Sequence, residues 1–246
     1  MAYISRLVGL LHSKGYPTAS VDSVFENESF TSIHLFLGKK YLWIKLKTDS
    51  IEKLALDNSR YRQKDYDGKL LNIPQLIGLQ QKILNYYENN GYPFAQVYLD
   101  SIKLIEEKME AVLKTIKGPL YHIDSIRILG KGKISKNFLQ HYLGIANGSL
   151  YNSKKLQAVS KRMQDLPYLQ DLKQSDITML GTGAMLNLFL SPKRSSQANF
   201  LIGFLPSANQ SGKLQLTADV NLDLKNALSN GETILLKWQQ LQPKSP

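Results

Sequence analysis

Gly15-Tyr16-Pro17-Thr18-Ala19-Ser20-Val21 recurs as Gly91-Tyr92-Pro93-Phe94-Ala95-Gln96-Val97, so position 15 maps onto position 91, 76 residues on. A recurrence at this spacing marks tandem supersecondary units rather than one continuous core. Each copy follows an amphipathic stretch. Ile4, Leu7, Val8 and Leu11 share one helical face before the first, and Leu76, Leu79, Gln80, Ile83, Leu84 and Tyr87 share one before the second, with Pro74 suited to a first turn. Gly15 and Gly91 fall where a helix closes on a left-handed residue, and Pro17 and Pro93 prevent its continuation. Tyr16 and Tyr92 then fit as rings packed over the helix end. The six residues Gly15, Tyr16, Pro17, Gly91, Tyr92 and Pro93 thus read as structural turns between helix and strand.

A second landmark repeats with nearly the same period. Gly38-Lys39-Lys40-Tyr41 and Gly118-Pro119-Leu120-Tyr121 lie 80 residues apart and close each unit after an alternating strand, Ile33/Leu35/Leu37 in one and Met109/Ala111/Leu113 in the other. The third unit is the fullest. Tyr121–Leu129 reads as a strand, and Ser135 caps a short helix stopped by Gly144. A longer helix from Asn152 or Ser153 carries Leu156, Val159, Met163 and Leu166. Strands at Leu172–Leu180 and Ala184–Leu190 follow, joined at Gly181-Thr182-Gly183. The order is βααββ. Against it, residues 1–40 hold only a helix and two strands. In the middle unit Tyr41–Lys47 is a strand, and the polar run Glu52–Asn72 is assigned the first helix.

After Ser191-Pro192-Lys193-Arg194-Ser195-Ser196, which has linker composition, the pattern changes. Leu214, Leu216, Ala218, Val220, Leu222 and Leu224 alternate with Lys213, Gln215, Thr217, Asp219, Asn221, Asp223 and Lys225. Alternation over about 10 residues is what a transmembrane β-strand needs, with the apolar set facing lipid; an edge hairpin in water fits the same pattern. Asn226–Gly231 is a turn, Thr233–Gln239 begins another strand, and Asn199–Leu205 fits the strand before. Trp238 suits an interfacial anchor or simple packing. Two or three strands cannot span a bilayer alone, because open edges strand backbone groups in lipid.

Composition excludes more than it identifies. The 246 residues carry no cysteine, which removes disulfides and thiol chemistry. The net charge of +11 comes from scattered pairs such as Lys39-Lys40, Lys154-Lys155 and Lys193-Arg194, with no basic-aromatic stripe, so nucleic acid is not an expected partner. His12, His34, His122 and His141 form no close pair for a metal, and nucleophile-elbow and dinucleotide motifs are lacking. Gly130-Lys131-Gly132-Lys133 lacks phosphate-loop spacing and reads as a strand-to-helix connection. The expectation is a non-enzyme with no cofactor and no catalytic or metal site.

The βααββ order, the Gly-Tyr-Pro-x-Ala turn, the Gly118–Ile126 run and Gly148-Ser-Leu-Tyr-Asn152 resemble POTRA (polypeptide-transport-associated) domains. Asn221–Asn226 with Gly231-Glu232 resembles the opening of the barrel that follows such domains in the BamA/TamA-type outer-membrane assembly and translocation family. The resemblance implies an α+β fold of tandem βααββ modules leading into the first antiparallel strands of a truncated transmembrane β-barrel. The expected divisions are 1–40 (partial module), 41–118, 119–193, and 198–246 (barrel start). No signal-peptide pattern opens the chain, so the resemblance also leads us to expect a fragment of a longer exported protein. It places the chain in the bacterial outer membrane with residues 1–193 in the periplasm. The implied partners are unfolded outer-membrane or secreted proteins, with accessory lipoproteins beside them, and the membrane itself through the full barrel. The implied work is barrel-protein assembly; the rival is an exporter serving one secreted partner. Strand addition at sheet edges is the expected mode of client binding. The candidate positions are Ala95, Val97, Leu99, Lys173, Ser175 and Ile177, with Ala19–Val24 as a further strand.

Overall fold

The computed structural model describes residues 2–206 and 214–240. Two compact units divide the chain: residues 1–121 with 151–153, and residues 122–150 with 154–246.

The first unit begins with helix α1 (Ala2–Ser13) and an antiparallel pair, β1 (Ser20–Glu26) and β2 (Thr31–Phe36). It continues with β3 (Leu42–Lys47), α2 (Lys53–Ser59), α3 (Ile73–Glu88), β4 (Gln96–Ile105) and β5 (Lys108–Ile116). The Asn72 side chain caps α3 by accepting from the Gln75 amide at 3.0 Å, with Pro74 in the first turn, as that motif predicts. The polar run 52–72 does contain a helix. It is short because only Ile51, Ala55 and Leu56 supply an apolar face, and it ends at Arg60 in the left-handed region. The sheet order is β3-β5-β4, with β3 parallel and β4 antiparallel to β5. Trp43, Leu46, Ile83, Tyr87, Ala111 and Leu113 form its buried core with α2 and α3.

The two sequence landmarks turn out to be hydrogen-bonded to each other. The Gly15 carbonyl accepts from the Tyr41 amide at 2.8 Å, and the Gly91 carbonyl accepts from the Tyr121 amide at 2.7 Å. Both glycines have φ near +95°, a conformation that costs a side chain strain and turns the carbonyl toward that amide. Of the tyrosines after them, the Tyr92 ring meets Tyr87 edge-on at 6.1 Å, and Lys40 and Lys117 lie over the Tyr16 and Tyr92 rings.

The second unit repeats the order with β6 (His122–Gly130), α4 (Lys136–Leu143), a two-residue β7 (Ser149–Leu150), α5 (Ser153–Gln157), α6 (Val159–Gln164), β8 (Leu169–Leu180) and β9 (Gly183–Pro192). Its order is β7-β6-β9-β8, with β6 parallel and β8 antiparallel to β9, the same topology with β7 added. Ser135 caps α4 and Gly144 closes it at φ 66°. The helix read from residue 153 onward is two helices, interrupted at Ala158.

β10 (Gln197–Pro206), β11 (Leu214–Lys225) and β12 (Thr233–Gln240) form a separate antiparallel sheet in the second unit, in sequential order. No closed barrel forms among the described residues.

Candidate functional site

In each βααββ sheet the last strand lies inside and the hairpin partner before it lies at the edge. β4 pairs only with β5, and β8 only with β9. Which backbone groups these edges present follows from the hairpin turns. Glu106-Glu107 and Gly181-Thr182 are two-residue loops, each with a left-handed first residue (φ 55° and 57°). A two-residue loop makes the residues flanking it a hydrogen-bonded pair, here Ile105/Lys108 and Leu180/Gly183, and pairing type then alternates.

Carried along β5, the alternation makes Tyr98/Lys114 and Gln96/Ile116 bonded pairs and leaves Val97 and Leu99 with amides and carbonyls directed away from the sheet. Two contacts agree. The Val97 carbonyl accepts from Gln80 Nε2 of α3 at 3.3 Å, a contact open to a carbonyl directed away from the ladder. The Leu113 carbonyl, on the opposite side of β5, accepts from Ser50. Ala95 lies just before β4, is buried, and donates its amide to the Tyr92 carbonyl, so it offers no donor. The regular run ends at a bulge between Asp100 and Lys103, with Ser101 at φ 51°.

On β8 the same reasoning makes Asp176 and Thr178 ladder residues and turns Ile177 and Met179 outward. Lys173 and Ser175 fall elsewhere. Register shifts between Asp171 and Lys173, and between Lys173 and Asp176, put both in a bulged stretch. Lys173 pairs with Asp176 at 3.1 Å and covers the Phe189 ring, and the Ser175 hydroxyl meets that of Ser160 on α6. Bulges and charges blunt an edge, so the regular part of β8 is Asp176–Leu180. Asn187, buried in the adjacent β9, donates to Asp176 and Thr178 and pins that part to the sheet. Its bond and the Lys173 ammonium hold the Asp176 carboxyl below its ordinary pKa.

Sequence reasoning found the edge strands but missed the bulges and Gln80. A glutamine inside the apolar stripe of α3 was the available signal for the latter.

The second feature is the three-stranded sheet. Register places Ala198, Phe200, Ile202 and Phe204 beside Leu222, Val220, Ala218 and Leu216, and these beside Leu236 and Trp238. With Leu224 opposite Ile234, this face is apolar except for Gln240, opposite Ala218, while Asn199, Asp219, Asn221, Asp223, Lys237 and Gln239 share the other with Leu201 and Leu235. The apolar face is uncovered: Phe200, Ile202 and Phe204 are 66%, 68% and 64% exposed, and Trp238 50%. Leu216 is exposed, and Ala218, Val220, Leu222 and Leu224 are half-buried between neighbouring strands. The Leu214 side chain lies outside the described residues. An apolar sheet face of this extent, unmatched by a helix layer, suits a hydrocarbon environment.

Tandem βααββ modules followed by an amphipathic antiparallel sheet have counterparts among known proteins. Residues 121–184 match the family model for POTRA, the surface antigen variable number repeat. The outer membrane protein assembly factor BamA of Neisseria meningitidis serogroup B is 21% identical over 207 residues, which are 81% of this chain and 25% of that protein. The chain thus spans about a quarter of that relative's length. In fold it is similar to POTRA3-5 of Haemophilus influenzae BamA (12% identity, TM-score 0.54, 76% of this chain and 78% of that one). It is also similar to BamA from Haemophilus ducreyi lacking POTRA domains 1-3 (14% identity, TM-score 0.50, 82% of this chain and 37% of that one). Residues 121–184 thus resemble a POTRA domain, and the fold of the chain is similar to that of tandem POTRA modules.

Proposed function

We propose that residues 1–193 are periplasmic modules, divided at 41–118 and 119–193, that receive unfolded client chains by strand addition at β4 and β8. They pass those chains toward a membrane-embedded barrel to which residues 198–246 contribute. POTRA modules of BamA-type proteins lie in the periplasm and serve outer-membrane protein assembly or translocation, and this chain's fold is theirs. The observation that carries the finer reading is the alternation at β4. Val97 and Leu99 direct amides out of a regular edge, so an extended segment gains main-chain hydrogen bonds there whatever its sequence. That suits a receiver of many clients better than a pocket shaped to one side chain. The apolar face of β10–β12 supports contact with lipid, with Leu216, Ala218, Val220, Leu222 and Leu224 turned to it.

The test uses a photocrosslinker at Gln96, next to the outward run, and several purified, urea-unfolded β-barrel proteins of unrelated sequence. Crosslinks to all of them, and none to an unfolded helical protein, support barrel-protein assembly. Crosslinks to one secreted partner alone would favour dedicated export, and no crosslinks would refute client capture at β4.

A further inference from the structure

The strand-to-helix loop Gly130-Lys131-Gly132-Lys133 has a role beyond connection. The Gly132 amide donates to the Leu190 carbonyl at 2.9 Å, and a Cβ at either glycine would run into Leu190. The loop is therefore pressed onto the end of β9. Beside it lies a cavity of about 540 Å³ lined by Lys131 and Lys133, by Lys193 and Arg194 of the β9–β10 linker, and by Lys225 at the end of β11. No carboxylate lines it.

Its walls are tied together. Asn226 Nδ2 donates to the Lys133 carbonyl at 2.9 Å, the Lys225 amide to Ser196 Oγ at 3.0 Å, the Lys193 amide to the Tyr168 carbonyl at 2.9 Å, and the Ser135 amide to the Ser229 carbonyl at 2.6 Å. The nearby acids are occupied. Asp223 reaches Lys225 only at 3.7 Å, and Glu232 accepts from the Leu228 and Asn230 amides of its own turn. Among the described residues, Lys131, Lys133, Lys193 and Arg194 have no ion-pair partner. Five cations held together with a single carboxylate, 3.7 Å from Lys225, beside them repel one another, so a fixed site of this kind favours an anion.

Its position says which. The cavity lies at the end of the amphipathic sheet where β10 starts and β11 ends, and the apolar face begins at once with Ala198, Leu224 and Ile234. We propose that this cavity binds the phosphate of an anionic phospholipid whose acyl chains lie along the apolar face. The inference rests on the reading of that face as lipid-facing.

The experiment compares the chain of residues 1–246 with a variant carrying Lys131→Glu, Lys193→Glu and Arg194→Glu. A control carries Lys53→Glu, Lys64→Glu and Lys82→Glu and so has the same net charge. Binding is measured to phosphatidylcholine vesicles with and without phosphatidylglycerol, and amide NMR shifts are followed on adding glycerol phosphate. Trp238 quenching by brominated acyl chains, read against buried Trp43, reports the apolar face separately. The expected result is preference for phosphatidylglycerol that falls about tenfold or more in the site variant and little in the control, with glycerol phosphate shifting the amides of 131–133 and 193–196. Equal loss in both variants would overturn the site in favour of diffuse charge. Glycerol phosphate shifts without vesicle preference would overturn the lipid assignment and leave a free phosphate ligand. Absence of Trp238 quenching alongside intact amide shifts would place the failure in the lipid-facing reading.

Discussion

Proline at Val97 and proline at Tyr98 differ by one position and should have opposite consequences. Val97 directs its amide away from β5, so Val97→Pro removes no ladder bond, and edge positions of this kind tolerate proline. The folding cost is confined to trading a half-buried valine for a proline, about 1 kcal/mol or less. Tyr98 pairs with Lys114 in the ladder, so Tyr98→Pro deletes that bond and leaves a partner carbonyl unmet, about 1–3 kcal/mol, besides ring clashes. For a client the order reverses. Val97→Pro takes away one of the two outward donors at the centre of the run and puts a ring where the added strand would lie. One backbone bond plus that obstruction should weaken capture about tenfold, equivalent to about 1.4 kcal/mol. Urea melts measure the first quantity and crosslinking yield from Gln96 the second. An outward-facing Val97 is ruled out if Val97→Pro melts as early as Tyr98→Pro, and client capture there is ruled out if Val97→Pro folds normally and captures client as well as the parent chain.

Three further outcomes are expected. Gln80→Leu removes the side chain that occupies the Val97 carbonyl, so client capture should rise about fivefold, the worth of one hydrogen bond near 1 kcal/mol, in the same crosslinking assay. Gly231→Ala forces a Cβ into the Phe138 ring at φ +76° and should destabilise the second unit by about 2 kcal/mol, seen as an earlier thermal transition by circular dichroism. Asp100 is held below its ordinary pKa of 3.8, first by its hydrogen bond to the Lys114 ammonium and then by the Ser101 amide. Its folded pKa is depressed, so its stabilisation is present above pH 3.8 and lost as pH falls through the lower folded value. Asp100→Asn should therefore lower Tm at pH 7 and make no difference in strong acid, checked by melts across that range.

Much of the architecture was legible because it is written twice. Gly15-Tyr16-Pro17 and Gly91-Tyr92-Pro93 each need a positive-φ glycine and a proline after it, chemistry few other residues supply, so the repeat stands out against dissimilar surroundings. Likewise the alternation from Leu216 to Leu224 was legible because successive strand residues point to opposite faces and the register gathers the apolar set on one of them. The helix in 52–72 was faint because a single apolar turn, Ile51 to Leu56, seats it against the core. The outward-facing edge was only half legible. Periodicity named β4 and β8, but whether Val97 or Tyr98 faces outward depends on the two-residue turn at 106–107 and on the bulge after Asp100. Neither leaves a hydrophobic signature. The basic cavity is hidden for a related reason: Lys131, Lys193 and Lys225 are far apart in sequence and meet only through hydrogen bonds of the loops between them.

Capture of extended clients at an outward-facing strand edge should be visible in residue-resolved amide hydrogen exchange with and without an unfolded β-barrel protein. Tyr98 and Asp176 should be protected throughout, while Val97, Leu99, Ile177 and Met179 exchange fast in the free chain and slow on client binding. Protection that appears instead over the surfaces of α3 and α4 and leaves those four amides unchanged would contradict it.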